Sequence, residues 1–326
     1  MLDQLGREIN YLRISVTDRC NLRCRYCMPP EGVSLKEHRD ILSFEEIEKI
    51  VRIGAELGIR KIRLTGGEPL IRRNLPDLVA ALSRIDGIDD VAITTNGILL
   101  PKLAVPLKEA GLKRVNISLD TLQKDHYHYI TRGGDITAAF KALETALAEG
   151  LEPVKVNTVL IKGFNDDEIL DFCRLAFEQP LHIRFIEFMP VGEVKYWNRE
   201  SMVRNSDVLS TVSKHFVLKP GKIGYSNGPA KYYVLEGGKG SLGFISPMSN
   251  HFCGECNRLR LTADGKLRAC LYDGKEQDLK EALRNNLPAE EIRRIFVETV
   301  LSKPERHAMG DKPWGTRDRK MYQIGG

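Results

Sequence analysis

Short β-branched runs alternate with amphipathic stretches over the first 200 residues, and this alternation restricts the fold more than any other feature of the chain. A strand, a helix and a second strand make a parallel pair with a crossover, and repeated units build a parallel sheet covered by helices. Candidate strands are 11–17 (YLRISVT), 60–65 (RKIRLT), 91–95 (VAITT), 114–119 (RVNISL), 154–160 (VKVNTVL) and 182–188 (HIRFIEF). Helical spacing is clearest over 44–57. There Ser43 and Glu46 read as an S-x-x-E capping box, Ile47, Ile50, Val51, Gly54 and Leu57 share one face, and Gly58 follows the end. Segments 136–149, between Asp135 and Gly150, and 166–178 read the same way. Six such units fit an open partial barrel or a doubly wound sheet, and periodicity alone does not choose between them.

After about Met202 the pattern changes. A helix is expected near 206–215, strands at 231–235 and 242–246, and a hairpin in RLRLTADGKLRACL that turns near Asp264-Gly265. Helices follow near 276–286 and 289–302, and 303–326 reads as an irregular tail rich in Gly, Pro and charge. The expected organisation is a barrel over 1–200, an α+β domain over 201–302 and a tail over 303–326.

With 49 Lys and Arg against 44 Asp and Glu, the net charge of +5 over 326 residues does not demand a polyanionic polymer, so no nucleic acid is expected. No apolar run reaches the roughly 18 residues of a membrane span, and the start, Met1 to Glu8, has no hydrophobic stretch. The expectation is therefore a cytoplasmic chain with no membrane partner. In a reducing compartment clustered cysteines bind metal or do redox chemistry more often than they pair. Six of the seven cysteines fall in two trios, Cys20, Cys24, Cys27 and Cys253, Cys256, Cys270. Cys173 stands apart, on a helical face with Ile169, Phe172 and Ala176, and reads as a core thiol. Each trio is one ligand short of a closed four-thiolate site.

The first trio, C-x3-C-x2-C, directly follows the first strand. Three thiolates on one short loop suit a cubane iron–sulfur cluster with one iron left free, whereas structural zinc prefers C-x2-C pairs and a fourth ligand such as His38. This motif, with Tyr26 before Cys27, resembles that of the radical S-adenosylmethionine (SAM) superfamily. The resemblance implies a [4Fe-4S] cluster whose free iron chelates SAM and reduces it to release a deoxyadenosyl radical. Thr65-Gly66-Gly67-Glu68-Pro69 resembles the superfamily's glycine-rich SAM motif. It ends the second candidate strand, as Thr94-Thr95-Asn96-Gly97, Ser118-Leu119-Asp120 and Glu187-Phe188-Met189-Pro190 end later ones. Barrels and open α/β sheets place their sites at such C-terminal strand ends.

For the second trio, spacing leaves zinc, completed by His251, and iron–sulfur equally open. Arg258 and Arg260 alternate with Leu259 and Leu261, so on a strand their forked guanidiniums share one side, as an anion clamp would. The combination C-x2-C-N-R-L-R-L-T with a further Cys downstream is similar to the GTP 3′,8-cyclase family of molybdenum cofactor biosynthesis, and the likeness runs over nearly the whole chain, from Arg13-Ile14-Ser15 to Gly325-Gly326. It implies a partial (βα)6 TIM-like barrel with a C-terminal α+β domain carrying a second iron–sulfur cluster. It implies SAM contacts at Tyr26, Gly67, Ser118 and Met189, and GTP contacts at Arg13, Lys61, Arg63, Thr94, Lys155, Arg184, Arg258, Leu259 and Arg260, with Arg258 and Arg260 catalytic. Hydrogen would leave ribose C3′ and the C3′ radical would add to guanine C8. The resemblance also implies two [4Fe-4S] clusters, an external electron donor, a downstream pterin-forming enzyme, a homodimer, and a terminal double glycine that threads toward the active site. Two other readings remain open at this stage: a peptide-modifying radical SAM enzyme with an auxiliary cluster, and a zinc protein binding nucleic acid.

Overall fold

The computed structural model describes residues 1–33, 36–192, 197–221, 223, 228–309 and 319–325. Strands β1 (Tyr11–Ser15), β2 (Lys61–Thr65), β3 (Asp90–Thr95), β4 (Arg114–Ser118), β5 (Lys155–Leu160) and β6 (His182–Glu187) pair in parallel, in chain order. The crossovers hold α1 (Phe44–Glu56), α2 (Leu75–Ser83), α3 (Leu100–Glu109), α4 (Lys124–Thr131), α5 (Ile136–Ala148) and α6 (Ile169–Glu178). The six strands lie where the sequence places them. The expected cap of α1 forms in both directions: Glu46 N–H donates to Ser43 Oγ at 3.2 Å, and Ser43 N–H to Glu46 Oε2 at 2.7 Å. Gly58 follows it with φ +100°, a conformation that favours glycine.

The rest of the chain forms α7 (Asn205–Val212), β7 (Leu218–Gly221), β8 (Lys231–Leu235), β9 (Ser241–Ile245), β10 (Arg258–Leu261), β11 (Lys266–Arg268), β12 (Gln277–Asp278), α8 (Leu279–Arg284) and α9 (Ala289–Leu301). The expected hairpin is β10–β11, with Gly265 at φ +82° in its turn. Its strands do not make a sheet of their own. β10 pairs in parallel with β1, placing Arg260 beside Arg13, and β9 pairs in parallel with β6. The sheet order is β12-β11-β10-β1-β2-β3-β4-β5-β6-β9-β8-β7. The C-terminal strands thus cover both edges of the six-stranded array, whose unpaired N–H and C=O groups would otherwise face solvent.

Parallel strands buried on both faces usually read as continuous apolar runs. Here they alternate: Arg13 lies between Leu12 and Ile14, Arg63 between Ile62 and Leu64, Asn116 between Val115 and Ile117. The apolar set is buried in one cluster with the crossover helices, while the polar set faces the other way. Side chains from β1 to β6, and from β8, β9 and β10, all line one cavity, so the sheet curls into a partial barrel around it.

Candidate functional site

Eight cationic side chains line that cavity: Arg13, Lys61, Arg63, Arg114, Lys155, Arg184, Arg258 and Arg260. Among the described residues no Asp or Glu lines it. The cavity holds about 1410 Å³ of empty space including its mouth, ample for a nucleotide-sized ligand. The cations pay for their enclosure in basicity. Burial, then Arg184, Arg114 and Arg63, lower the Lys155 pKa to about 6. Burial, reinforced by Arg258, Arg63 and Arg184, brings Arg13 to about 10, and burial lowers Arg184 and Arg260 too. Burial raises the Tyr11 phenol, yet Arg63, Arg13 and Arg114 draw it down to about 8. Arg114 bonds Asp90 through both Nε and Nη2.

Cys253, Cys256 and Cys270 form one wall of the cavity, next to Arg258 and Arg260. Burial raises Cys256, but Arg258 and Lys303 outweigh it and hold its thiol down at about 6, so this sulfur is readied as a thiolate ligand. Lys303 is fixed by Arg258 O at 2.8 Å and Ala269 O at 2.6 Å. Arg7 ties the loop to the N-terminus and the tail, donating to Cys253 O at 2.8 Å and Pro304 O at 2.9 Å. The described ligand atoms close enough to share a single ion, within 4.8 Å of one another, belong to His251, Cys253 and His307, and neither cysteine trio is so tight. The Cys3His zinc site considered for His251 is therefore not assembled. His307 is already engaged, with Nε2 2.9 Å from Pro247 O and Nδ1 accepting from Met309 N at 3.2 Å.

The first trio sits on the loop after β1. Burial, then Cys27, Asp120 and Cys20, push the Cys24 thiol well up. Leu22 N–H donates to Cys20 Sγ at 3.4 Å, and the Asn96 amide approaches it at 3.9 Å, contacts of the kind that tune iron–sulfur clusters. Glu68 is buried and accepts from Thr95 Oγ1, Asn96 N and Leu70 N at 2.6, 2.7 and 3.0 Å, tying the glycine-rich turn to the end of β3. The glycines are needed for a reason the sequence did not give. A Cβ on Gly67 would lie 2.2 Å from Arg19 O, and one on Gly66 2.6 Å from Thr17 O, so they let the cysteine loop's own backbone pass. Tyr26 donates to Asp120 Oδ2 at 2.6 Å and Phe188 packs edge-on to its ring. Ser118 ends β4, and Met189 lines the cavity after β6.

Of the residues expected to touch substrate, Arg13, Lys61, Arg63, Thr94, Lys155, Arg184, Arg258 and Arg260 line the cavity. Leu259 does not: its side chain is fully buried in the apolar core. Arg114, Asn116, Asn157, Tyr11 and Tyr232 also line it and were missed. Arg114, Asn116 and Ser118 stand at period two on one strand, a spacing that could have revealed the first two. Cys173 is buried in the core, as expected, its thiol pushed by burial up to about 12. Gly325 reaches the strand ends: Arg260 Nη1 donates to its carbonyl, and a Cβ on it would lie 2.3 Å from Thr65 Oγ1. Gly326 lies outside the described residues.

A family model of the Radical SAM superfamily matches residues 14–176, and one of Molybdenum Cofactor Synthesis C matches residues 181–309. Proteins named GTP 3′,8-cyclase align with the whole chain over their own whole length, at 57% identity in Syntrophomonas wolfei and 56% in Moorella thermoacetica. Among solved structures, Streptococcus suis SuiB superposes with a TM-score of 0.56 at 14% identity, over 84% of this chain and 64% of that one. Its S-adenosylmethionine-bound form gives 0.54 at 14% identity, over 88% and 68%. These two show a shared fold, and the full-length relatives show the rest: the chain belongs to the radical SAM superfamily and, within it, to the GTP 3′,8-cyclase family.

Proposed function

We propose that this chain converts GTP to 3′,8-cyclo-7,8-dihydroguanosine 5′-triphosphate, the first step of molybdenum cofactor biosynthesis. The single observation that carries the substrate is the enclosed cation set without a lining carboxylate among the described residues. Buried like charges repel and lose hydration, and a polyanion is the ligand class that offsets both. The 5′-triphosphate supplies that charge, held by Arg13, Lys61, Arg63, Lys155 and Arg184.

Radical SAM membership brings a [4Fe-4S] cluster and SAM, and Cys20, Cys24 and Cys27 are the residues that would hold the cluster. When bound, this cluster supplies the electron that cleaves SAM and frees a deoxyadenosyl radical. Tyr26, Gly67, Ser118 and Met189 would surround SAM above the cavity. Cys253, Cys256 and Cys270 would hold a second [4Fe-4S] cluster, and Arg258 keeps one of its thiolates charged. Arg260 joins the anion-binding wall to the carbonyl of Gly325. This reading also implies an external electron donor, a downstream pterin-forming enzyme, a homodimer and a cytoplasmic setting.

Anaerobic incubation of iron- and sulfide-loaded protein with GTP, SAM and a reductant tests it. The expected outcome is deoxyadenosine together with a cyclised guanine nucleotide, from protein carrying about eight iron per chain for two cubanes. Deoxyadenosine without a cyclised nucleotide would refute the GTP assignment, and protein free of sulfide would refute both clusters.

A further inference from the structure

The polar faces of β4 and β5 interleave amides with cations. From its start, β4 turns Arg114, Asn116 and Ser118 to one side, and β5 turns Lys155 and Asn157. In register, Asn116 lies opposite Lys155 and Thr94, and Asn157 opposite Ser118 and Arg184. On each strand an amide follows a cation at the next inward position, Asn116 after Arg114 on β4 and Asn157 after Lys155 on β5, and in register each amide stands level with a cation, Lys155 or Arg184. Both amides are incompletely used. Asn116 Nδ2 donates to Thr94 Oγ1 at 3.4 Å, but the Oδ1 atoms of Asn116 and Asn157 are buried and have no hydrogen-bond partner among the described residues. Asn116 is 5% exposed. Two enclosed acceptors without donors cost stability unless a ligand brings donors to them.

We propose that Asn116 and Asn157 are the ribose-reading residues of this cavity, accepting from the 2′ and 3′ hydroxyls of the nucleotide. The inference rests on the GTP reading above and adds to it the element that selects the sugar. A triphosphate offers only acceptors, so it cannot serve these oxygens. The donors of a guanine nucleotide are its two sugar hydroxyls and the N–H groups of the base. The sugar is the part joined to the phosphates, and each amide stands beside a cation, Asn116 beside Lys155 and Asn157 beside Arg184. The asparagines act by positioning and sugar selection, and carry no proton or electron.

Equilibrium binding of GTP, 2′-deoxyGTP, 3′-deoxyGTP and inorganic triphosphate to the cluster-loaded full chain, measured by anaerobic calorimetry, tests this. The wild type is expected to prefer GTP over each deoxy nucleotide by roughly tenfold, the worth of one good buried hydrogen bond. Asn116→Ala and Asn157→Ala should each bring one of the two preferences close to unity while leaving inorganic triphosphate binding within about twofold. Should an alanine variant fail to fold, Asn→Leu, near in volume and without polar atoms, carries the same expectation. Asn116→Asp, which keeps acceptor oxygens in place, should retain the sugar preference while weakening triphosphate binding. Preferences unchanged in both Ala variants, or a wild type indifferent to the sugar, would overturn the inference and leave the GTP reading standing. A wild type that binds none of the nucleotides would overturn both.

Discussion

Lys155 is a cation kept where its own charge is disfavoured, and this has a measurable pH signature. Its pKa in the folded chain, about 6, lies below the roughly 10.4 of an exposed lysine. Between those values the unfolded chain holds a proton that the folded chain lacks. The ligand-free protein should therefore gain stability from this group as pH rises from about 6, and lose that gain as pH falls back through 6. Lys155→Met should flatten this slope and raise the melting temperature near neutral pH, while lowering GTP affinity by tenfold or more. A bound triphosphate restores the reason to be charged. GTP binding at about pH 8, where the terminal phosphate is already fully ionised, should take up close to one proton in the wild type and none in Lys155→Met. Calorimetry in two buffers of different ionisation enthalpy measures this, and equal heats in both buffers would count against the wild-type expectation. On the opposite wall, the double change Arg258→Ala, Arg260→Ala removes two forked donors from a buried anion site. GTP affinity should fall by about a hundredfold, at roughly tenfold for each charge-assisted bond.

At the scale of elements, the glycine-rich turn after β2 is a spacer for its neighbour. Gly67→Ala would drive a Cβ into the Arg19 carbonyl, and backbone cannot yield as a flexible side chain can. The expected result is loss of more than about 1 kcal/mol of stability and poor loading of the first trio alone. Iron analysis should then fall from about eight toward about four per chain. This turn also shows what was readable beforehand and what was not. Its motif, the six strands, the capping box of α1 and the β10–β11 hairpin are local patterns, and each stands in the structure where the sequence puts it. The reason for Gly67 is a contact with residues far along the chain's path, and periodicity carries no such information. For the same reason the pairing of β10 with β1 and of β9 with β6 was invisible, because a strand's alternation does not name its neighbour. The cavity cations on β1, β2, β5 and β6 were found through family resemblance. Arg114 was missed although it shares their inward spacing, and Leu259 was expected at the ligand although alternation on β10 sends its side chain to the core.

At the scale of the whole molecule, the tail closes the site. Arg319 is gripped by Asp264 at 3.0 and 3.1 Å and by Glu276 at 2.8 Å, and Lys36 joins Asp264 at 2.8 Å. This network pins the tail to the β10–β11 turn, from where Gly325 reaches Thr65 and Arg260. Gly325 has φ +67° and no space for a Cβ, so Gly325→Ala should impair turnover while thermal unfolding and cluster content stay near wild type. Asp264→Ala should leave the barrel folded but make the tail an early site of protease cleavage, read as a small mass loss in limited digestion.

The edge strands also set an order on how the molecule comes into being. β1 leaves the ribosome first among the strands, yet the neighbour that covers its outer side, β10, follows only after β2 to β9. Until then the nascent chain carries an uncovered strand with three cysteines directly behind it. Gly325, which settles on β1 and β2, emerges later still, so the finished site cannot assemble until both cysteine trios and that glycine have left the exit tunnel.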